Sequence, residues 1–413
     1  MKAKKKLMVV VGAGASIELG MPSVRKIDNM FHEWARKEFP LVKKTDQSLY
    51  SYLRDTTNKC YLKNPRKGTK KEANYEDVLF SIFHLSSLLT DRDNNFPLNA
   101  FLRQKKLPEI KSLGLKMDTT GDVLMCLSSF LVDELFDEFR RKCLEVSTKP
   151  VDEFGSYVNF LSRLRDDYEL VFISLNYDNL VTQVFPNLFT GFDNITGCFR
   201  PESVHEHQDW DSIYHVHGSV HFEMGIGMGS MHTIFWNNDL SSVRQNSRGR
   251  GYQRTMEGIK LPTSAIVAGY GKEYQIQRLP FRTYYGQIDK LVETADAFLF
   301  LGYGFGDFHL NNCFHAIRKR ARPVIIVDCA ERDQDSLRIR SDSWARNLLA
   351  TVETDNYKIA TRRFRHKTPC VAELIDNDEF EISTNPLYPL SVWYGGFMRA
   401  CKNYDLVKFE LDN

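Results

Sequence analysis

An apolar run at residues 7–11 (Leu-Met-Val-Val-Val) passes directly into Gly12-Ala13-Gly14-Ala15-Ser16. A short, β-branched run without a polar member reads as a strand buried on both faces. Glycine is what a sharp strand-to-helix turn needs, because it admits positive φ and lets backbone N–H groups approach a pyrophosphate. A helix opening near Ser16 would also aim its positive end at phosphates. This start points to an α/β fold with a buried parallel sheet, whose ligand loops leave the carboxyl ends of the strands. A lone G-x-G also fits a plain tight turn. The third glycine and the acidic ribose ligand ~20 residues on are not clearly met, and Asp28 comes too early for that role.

Similar apolar runs occur at residues 170–175, 297–301 and 324–327, each ending at Gly, Asn or Asp. Between the first two runs the apolar spacing is helical over residues 74–89, 122–143 and 151–165. That stretch is too long for a simple crossover, so residues 28–150 read as a helical insertion. Residues 225–258, rich in Gly, Ser, Asn and Arg, read as a mobile excursion that could control access to a site. After Asp328 the pattern changes to short strand-like pieces (350–352 and 357–359) and a Pro/Tyr-rich tail, which suggests a C-terminal appendage.

Composition sets limits on the function. Apolar residues make up 42% and charged residues 26%, with a formal net charge of +2. No whole-molecule field argues for nucleic acid or membrane, so nucleic acid is expected only through a partner. Basic runs such as 318–322 and 362–367 read as solvated faces. The eight cysteines include no C-x-x-C pair, so neither a zinc ribbon nor a thioredoxin motif is present. Scattered cysteines and an N-terminal apolar run too short for a leader suggest a cytoplasmic protein. No apolar stretch reaches the ~20 residues of a membrane span.

Polar residues after the apolar runs are the candidates for chemistry. Asn176-Tyr177-Asp178-Asn179 follows the second run; it could equally supply an Asx cap to the next helix. His215-Val216-His217-Gly218 comes some way later, and a histidine can take a proton near neutral pH. His215 and His217 would share a face of an extended segment, but no third ligand is evident nearby, so no metal is expected. His205, His207 and His221 read as loop or surface histidines. The third run enters Gly302-Tyr303-Gly304-Phe305-Gly306-Asp307, and the fourth ends at Asp328.

In this order the motifs resemble the sirtuins. Gly12, Ala13, Gly14 and Ser16, then Gly20-Met21-Pro22 and Arg25, match the family's glycine loop and its arginine without a gap. Asn176 and Asp178 match its Q-N-x-D element, and His217-Gly218 its histidine-glycine pair. Gly302, Gly304 and Phe305 stand where a Gly-Thr-Ser loop packs on the adenosine side, and Asp328 where an acid meets the adenosine ribose.

The resemblance implies a Rossmann-like parallel sheet of the sirtuin type with NAD as substrate. Asn176 and His217 would be catalytic, and Gly12, Ala13, Gly14, Ser16, Arg25, Asp178, Gly302, Gly304, Phe305 and Asp328 would hold the nucleotide. Two departures narrow it. Val24 stands where the family has a phenylalanine that shields the reactive ribose, and residues 200–295 contain no cysteine, so the four-cysteine zinc module of the deacylases is missing. On both counts the chain resembles bacterial antiphage sirtuin-like NAD hydrolases, and in size the subunit that assembles with a HerA-type ATPase. The expectation is therefore a core over residues 1–330, interrupted by the helical insertion, and an appendage over 331–413. It would form a homo-oligomer that splits NAD into nicotinamide and ADP-ribose. Alternatives are an NAD-dependent protein deacylase and a non-catalytic nucleotide-sensing scaffold.

Overall fold

The structure is a computed structural model that describes residues 3–63, 72–89, 107–112, 114–148, 152–226, 232–242, 252–254, 260–262, 264–269, 272–329, 331–333, 336–338, 351, 380–382 and 389–412. Two compact units make up the chain. The first comprises Met1–Met21, Lys142–Val216 and Pro280–Asn413, the second Pro22–Arg141 and His217–Leu279.

The first unit is built on a seven-stranded sheet. From one edge its strands are Phe380–Ile382, Leu390–Trp393, Val324–Val327, Ala297–Leu301, Lys5–Val11, Tyr168–Ser174 and Asp211–His215. All neighbours run parallel except Phe380–Ile382, which pairs antiparallel with Leu390–Trp393 at the edge. The four apolar runs of the sequence are four of these strands. Val9, Phe172, Leu299 and Ile325 are wholly enclosed, as in a sheet covered on both faces. Lys5–Val11 lies between Tyr168–Ser174 and Ala297–Leu301. The chain therefore winds outward on one side of its first strand and returns on the other, the doubly wound arrangement expected from sequence.

Residues 331–413, read from sequence as an appendage, contribute Leu390–Trp393 to this sheet, in parallel register with Val324–Val327. Ser391 interrupts the apolar run and hides the strand from a pattern search; in the structure its Oγ accepts the Trp393 indole N–H at 2.8 Å. Of the strand-like pieces expected at 350–352 and 357–359, only Thr351 lies within the described residues.

Arg322 belongs to a run expected to be solvated, yet it is buried at 5% exposure. Its guanidinium donates to the carbonyls of Val292, Ala295 and Ala316 and stands over the Phe298 ring. Two of those carbonyls end the helix Phe281–Thr294, where a cation meets the negative end of the helix dipole. Burial holds the Arg322 pKa down to about 10.

The second unit is largely helical. It includes Val24–Glu38, Leu49–Lys63 and Tyr75–Leu88. The last of these was legible as residues 74–89: Asn74 and Asp77 close a capping box at its start. Asp28 is buried and accepts the Tyr50 hydroxyl at 2.5 Å and the Arg54 guanidinium at 2.8 Å, a partnered structural carboxylate. A hairpin pairs Phe222–Ile226 with His232–Trp236. The excursion expected over residues 225–258 lies mostly outside the described residues.

Candidate functional site

The carboxyl ends of the central strands of the first unit are in register: Val11 is paired with Ser174 on one side and Leu301 on the other, and Leu301 with Val327. Backbone bonds continue past these ends, from Gly12 N–H to the Leu301 carbonyl (2.9 Å) and from Gly302 N–H to the Val327 carbonyl (2.8 Å). The loops that begin at Gly12, Leu175, Gly302 and Asp328 therefore leave the same rim of the sheet.

Gly12 and Gly14 have no positive φ, contrary to one reason expected for them; Gly302, at φ 60°, does. Their need for glycine is steric. A Cβ on Gly12 would stand 2.6 Å from the Gly302 oxygen, one on Gly14 2.8 Å from the Gly302 Cα, and one on Gly302 2.2 Å from the Ala15 nitrogen. The helix expected to aim its dipole from Ser16 is the single turn Gly14–Ile17, too short to sum many peptide dipoles.

Asn176 is placed by its own strand end. Its backbone N–H donates to the Ser174 hydroxyl at 3.2 Å, and that hydroxyl reaches the Asn176 carbonyl at 3.3 Å. The side chain is buried, and its Nδ2 donates to the Gly12 carbonyl at 3.0 Å and to Ser16 Oγ at 2.8 Å. Because a carbonyl oxygen only accepts, Gly12 fixes which way the amide points. Both protons of the NH2 are then spent, and Oδ1 is the atom Asn176 can offer to a ligand.

Asp178 is also buried, with Oδ1 accepting the Leu180 N–H at 3.2 Å. This is the Asx turn that sequence left open as the alternative reading, and Asp178 makes it while Asn176 does not. Oδ2 is buried and makes no hydrogen bond. Burial raises the carboxyl above its ordinary value. The Ser16 hydroxyl, the Leu180 N–H and the Asn176 amide pull the other way, Ser16 and Asn176 from nearby without reaching bonding geometry at Oδ2. The charge of Asp178, second to burial itself, helps raise the Cys143 thiol and the Tyr157 phenol. Neither neighbour was singled out from sequence, because a lone Cys and a lone Tyr on helices carry no pattern.

The late glycine loop is rigid. Phe305 has a φ of 52°, the one positive value of a non-glycine among the described residues. An αL conformation of this kind costs roughly 1–2 kcal/mol. The ring is fully buried, 5.3 Å from Phe300 and 4.7 Å from Tyr303. Asn311 holds the loop from both sides, donating to the Phe305 carbonyl at 2.9 Å and accepting the Tyr303 hydroxyl at 2.6 Å. Phe305 thus presents backbone and not its ring. Gly304 is half-buried between these two aromatics. Asp328, buried at the end of Val324–Val327, accepts the N–H of Cys329 at 2.8 Å.

The structure thus brings Gly12, Gly14, Ser16, Asn176 and Gly302 into one contact network, with Ala13 exposed on the turn and Asp178 two residues past Asn176, bonded to the Leu180 N–H. Gly304, Phe305 and Asp328 follow strands of the same rim. Arg25 and His217 belong to the second unit. Arg25 is exposed on the first turn of Val24–Glu38, whose N-cap Ser23 accepts the Lys26 N–H at 3.3 Å. Serine is among the preferred N-cap residues, so Ser23 fixes this helix start. His217 is buried, its carbonyl accepting the Val267 N–H at 2.8 Å. Gly218, at φ 96°, would put a Cβ 2.2 Å from the Ala265 oxygen, so glycine must follow His217.

His221, expected in a loop or at the surface, lies in a turn but is buried, and stacks on Trp236 with ring centroids 4.5 Å apart. Its Nδ1 lies 2.8 Å from the Asn237 carbonyl, and burial lowers its pKa to about 4. Among the described residues no group of three or more His, Cys, Asp and Glu could hold a metal ion. Nor is any helix among them long and apolar enough to cross a membrane.

Residues 170–349 match the SIR2-like domain family. Among solved structures, a Sir2 homologue in complex with NAD is 13% identical, covers 79% of this chain and 78% of its own, and aligns with a TM-score of 0.34. A structure reporting the mechanism and regulation of Sir2 enzymes is 14% identical over 88% of this chain and 94% of its own, with a TM-score of 0.31. At these values the likeness carries no residue role over to this chain. No curated protein matches it.

Proposed function

We propose that this chain is an NAD glycohydrolase, cleaving NAD to nicotinamide and ADP-ribose. One observation carries the reading: the bond from Asn176 to Ser16 ties the strand end to the glycine loop, and two residues on, Asp178 Oδ2 is buried without a hydrogen bond. A buried carboxylate oxygen costs free energy unless a donor meets it, and a carboxamide N–H2 such as that of nicotinamide is a fitting donor. The backbone packing of Gly12, Gly14 and Gly302 offers the close approach that a dinucleotide phosphate needs.

Cleavage of the nicotinamide–ribose bond builds positive charge on the ribose, as in sugar hydrolysis. The residues of this chain would serve it by orientation. Asn176 Oδ1 would accept a hydrogen bond from water or a ribose hydroxyl, while its Nδ2 stays fixed to the loop. His217 would act as the base, the Gly12–Ser16 loop, Arg25 and the Gly302–Phe305 loop would bind the phosphates and adenosine side, and Asp328 would accept ribose hydroxyls. The small Val24 and the cysteine-free residues 200–295 favour water over an acyl-lysine acceptor.

The same resemblance supports NAD depletion in antiphage defence, by a cytoplasmic homo-oligomer that docks a HerA-type ATPase. Incubating the purified chain with NAD alone, with an acyl-lysine peptide and with that ATPase separates the readings. Free nicotinamide without a peptide supports the hydrolase. Release only with the peptide supports a deacylase, and no release in any arm supports a nucleotide-sensing scaffold. Light scattering that shows a 48 kDa monomer (47.9 kDa from composition) with and without the ATPase counts against the assembly.

A further inference from the structure

Glu18 lies just past the turn that carries Ser16. Its Oε2 accepts two backbone N–H groups from near the other end of the chain, those of Phe397 at 2.9 Å and Met398 at 3.1 Å. The approach is shaped by Gly396, whose φ is 86°, and a Cβ there would stand 3.4 Å from Glu18 Oε2. The same short segment grips a second loop of the rim. Asp328 donates its N–H to the Trp393 carbonyl at 2.8 Å, and Gly396 donates to the Asp328 carbonyl at 3.0 Å. Residues 393–398 thus bond on one side to the loop after Lys5–Val11 and on the other to the loop after Val324–Val327.

We propose that Glu18 is a positioning residue, through which the C-terminal segment 393–398 fixes the spacing of the Ser16 turn and the Asp328 loop for nucleotide binding. This rests on the nucleotide reading above. Ser16 is where the force is felt: its carbonyl accepts the N–H groups of Leu19 and Met21, both at 3.1 Å, and its Oγ holds Asn176. Release of Glu18 lets the Gly14–Ile17 turn drift from the segment and loosens the nucleotide loop, while Asn176 keeps its bond to the Gly12 carbonyl. A charged acceptor on backbone N–H groups is among the stronger hydrogen bonds, and the bonds span 379 and 380 residues of chain.

The test compares wild type with Glu18→Ala and Glu18→Gln by amide hydrogen exchange of the free protein and by calorimetric titration with ADP-ribose. Glu18→Gln keeps a neutral acceptor oxygen and serves as the conservative variant. The expected result is faster exchange at residues 14–21 and 393–398 in Glu18→Ala, roughly tenfold weaker ADP-ribose binding, and recovery of most of both in Glu18→Gln. A kcat at saturating NAD close to wild type, with KM raised, separates positioning from damage to the chemistry. Unchanged exchange in Glu18→Ala overturns the coupling, and faster exchange with unchanged affinity overturns the positioning role. A wild-type chain that binds no ADP-ribose overturns the nucleotide reading itself, while the exchange data still report on the coupling.

Discussion

Gly12 and Gly302 meet backbone to backbone, with the Cβ that Gly12 lacks falling 2.6 Å from the Gly302 carbonyl oxygen. Two loops from neighbouring parallel strands are thereby locked together at the rim where the chain reverses its winding.

Gly12→Ala is expected to push these loops apart. Overpacking of this kind costs about 1–3 kcal/mol, and the displaced Gly12 carbonyl also loses the Asn176 amide. Urea unfolding and ADP-ribose titration of the variant measure both losses. Wild-type stability together with wild-type affinity contradicts the packing argument.

His221 gives a pH dependence of definite sign. Burial holds its folded pKa near 4 against an ordinary 6.5, so between these values the unfolded chain binds the proton and the folded chain resists it. The stability contributed by neutral His221 is complete above pH 6.5 and is lost as pH falls towards 4. At pH 5 the loss is about 2 kcal/mol. The stability difference between wild type and His221→Asn should shrink by that amount from pH 7.5 to pH 5, read from denaturant midpoints at each pH. A constant difference sinks the assignment.

Arg322→Met tests a structural arginine. The substitution keeps bulk beside Phe298 but removes the Arg322 donor from the carbonyls of Val292 and Ala316 and leaves Ala295 with Arg320. The expected cost is about 2–4 kcal/mol in urea unfolding. A loss below about 0.5 kcal/mol, the range of an ordinary surface change, shows that the side chain is solvated as its sequence run suggested.

Much of the sheet was legible because strands buried on both faces announce themselves: residues 7–11, 170–175, 297–301 and 324–327 hold almost nothing but Val, Ile, Leu, Phe and Met. Leu390–Trp393 was not, since Ser391 breaks the run. Asp211–His215 begins on a charge and was not among the runs read as strands. In the site, each glycine loop could be read as a turn after a buried strand, and the resemblance set both at the nucleotide. That they pack on each other was not read, because contact of Gly12 with Gly302 is a property of two distant segments. The burial of His221 and Arg322 escaped because each is enclosed by residues outside its own short run, Trp236 and Asn237 for the first and Val292, Ala295 and Phe298 for the second. Glu18 carries no motif at all, and its role follows only from residues 397 and 398 folding back to it.

The proposed activity is release of nicotinamide from NAD, with Asn176 and His217 each proposed to take part. The most direct measurement is free nicotinamide produced from NAD alone by wild type, Asn176→Ala and His217→Ala, each shown to be folded by its unfolding midpoint. Asn176→Ala is also expected to lose about 0.5–1.5 kcal/mol of stability, because it removes one of the two donors to the buried Gly12 carbonyl, the Ala15 N–H remaining. The account predicts release by wild type and a fall of ~10²–10⁴ in each folded variant. More than about a tenth of wild-type activity in either variant, well above the residual expected for a lost catalytic group, contradicts the role given to that residue.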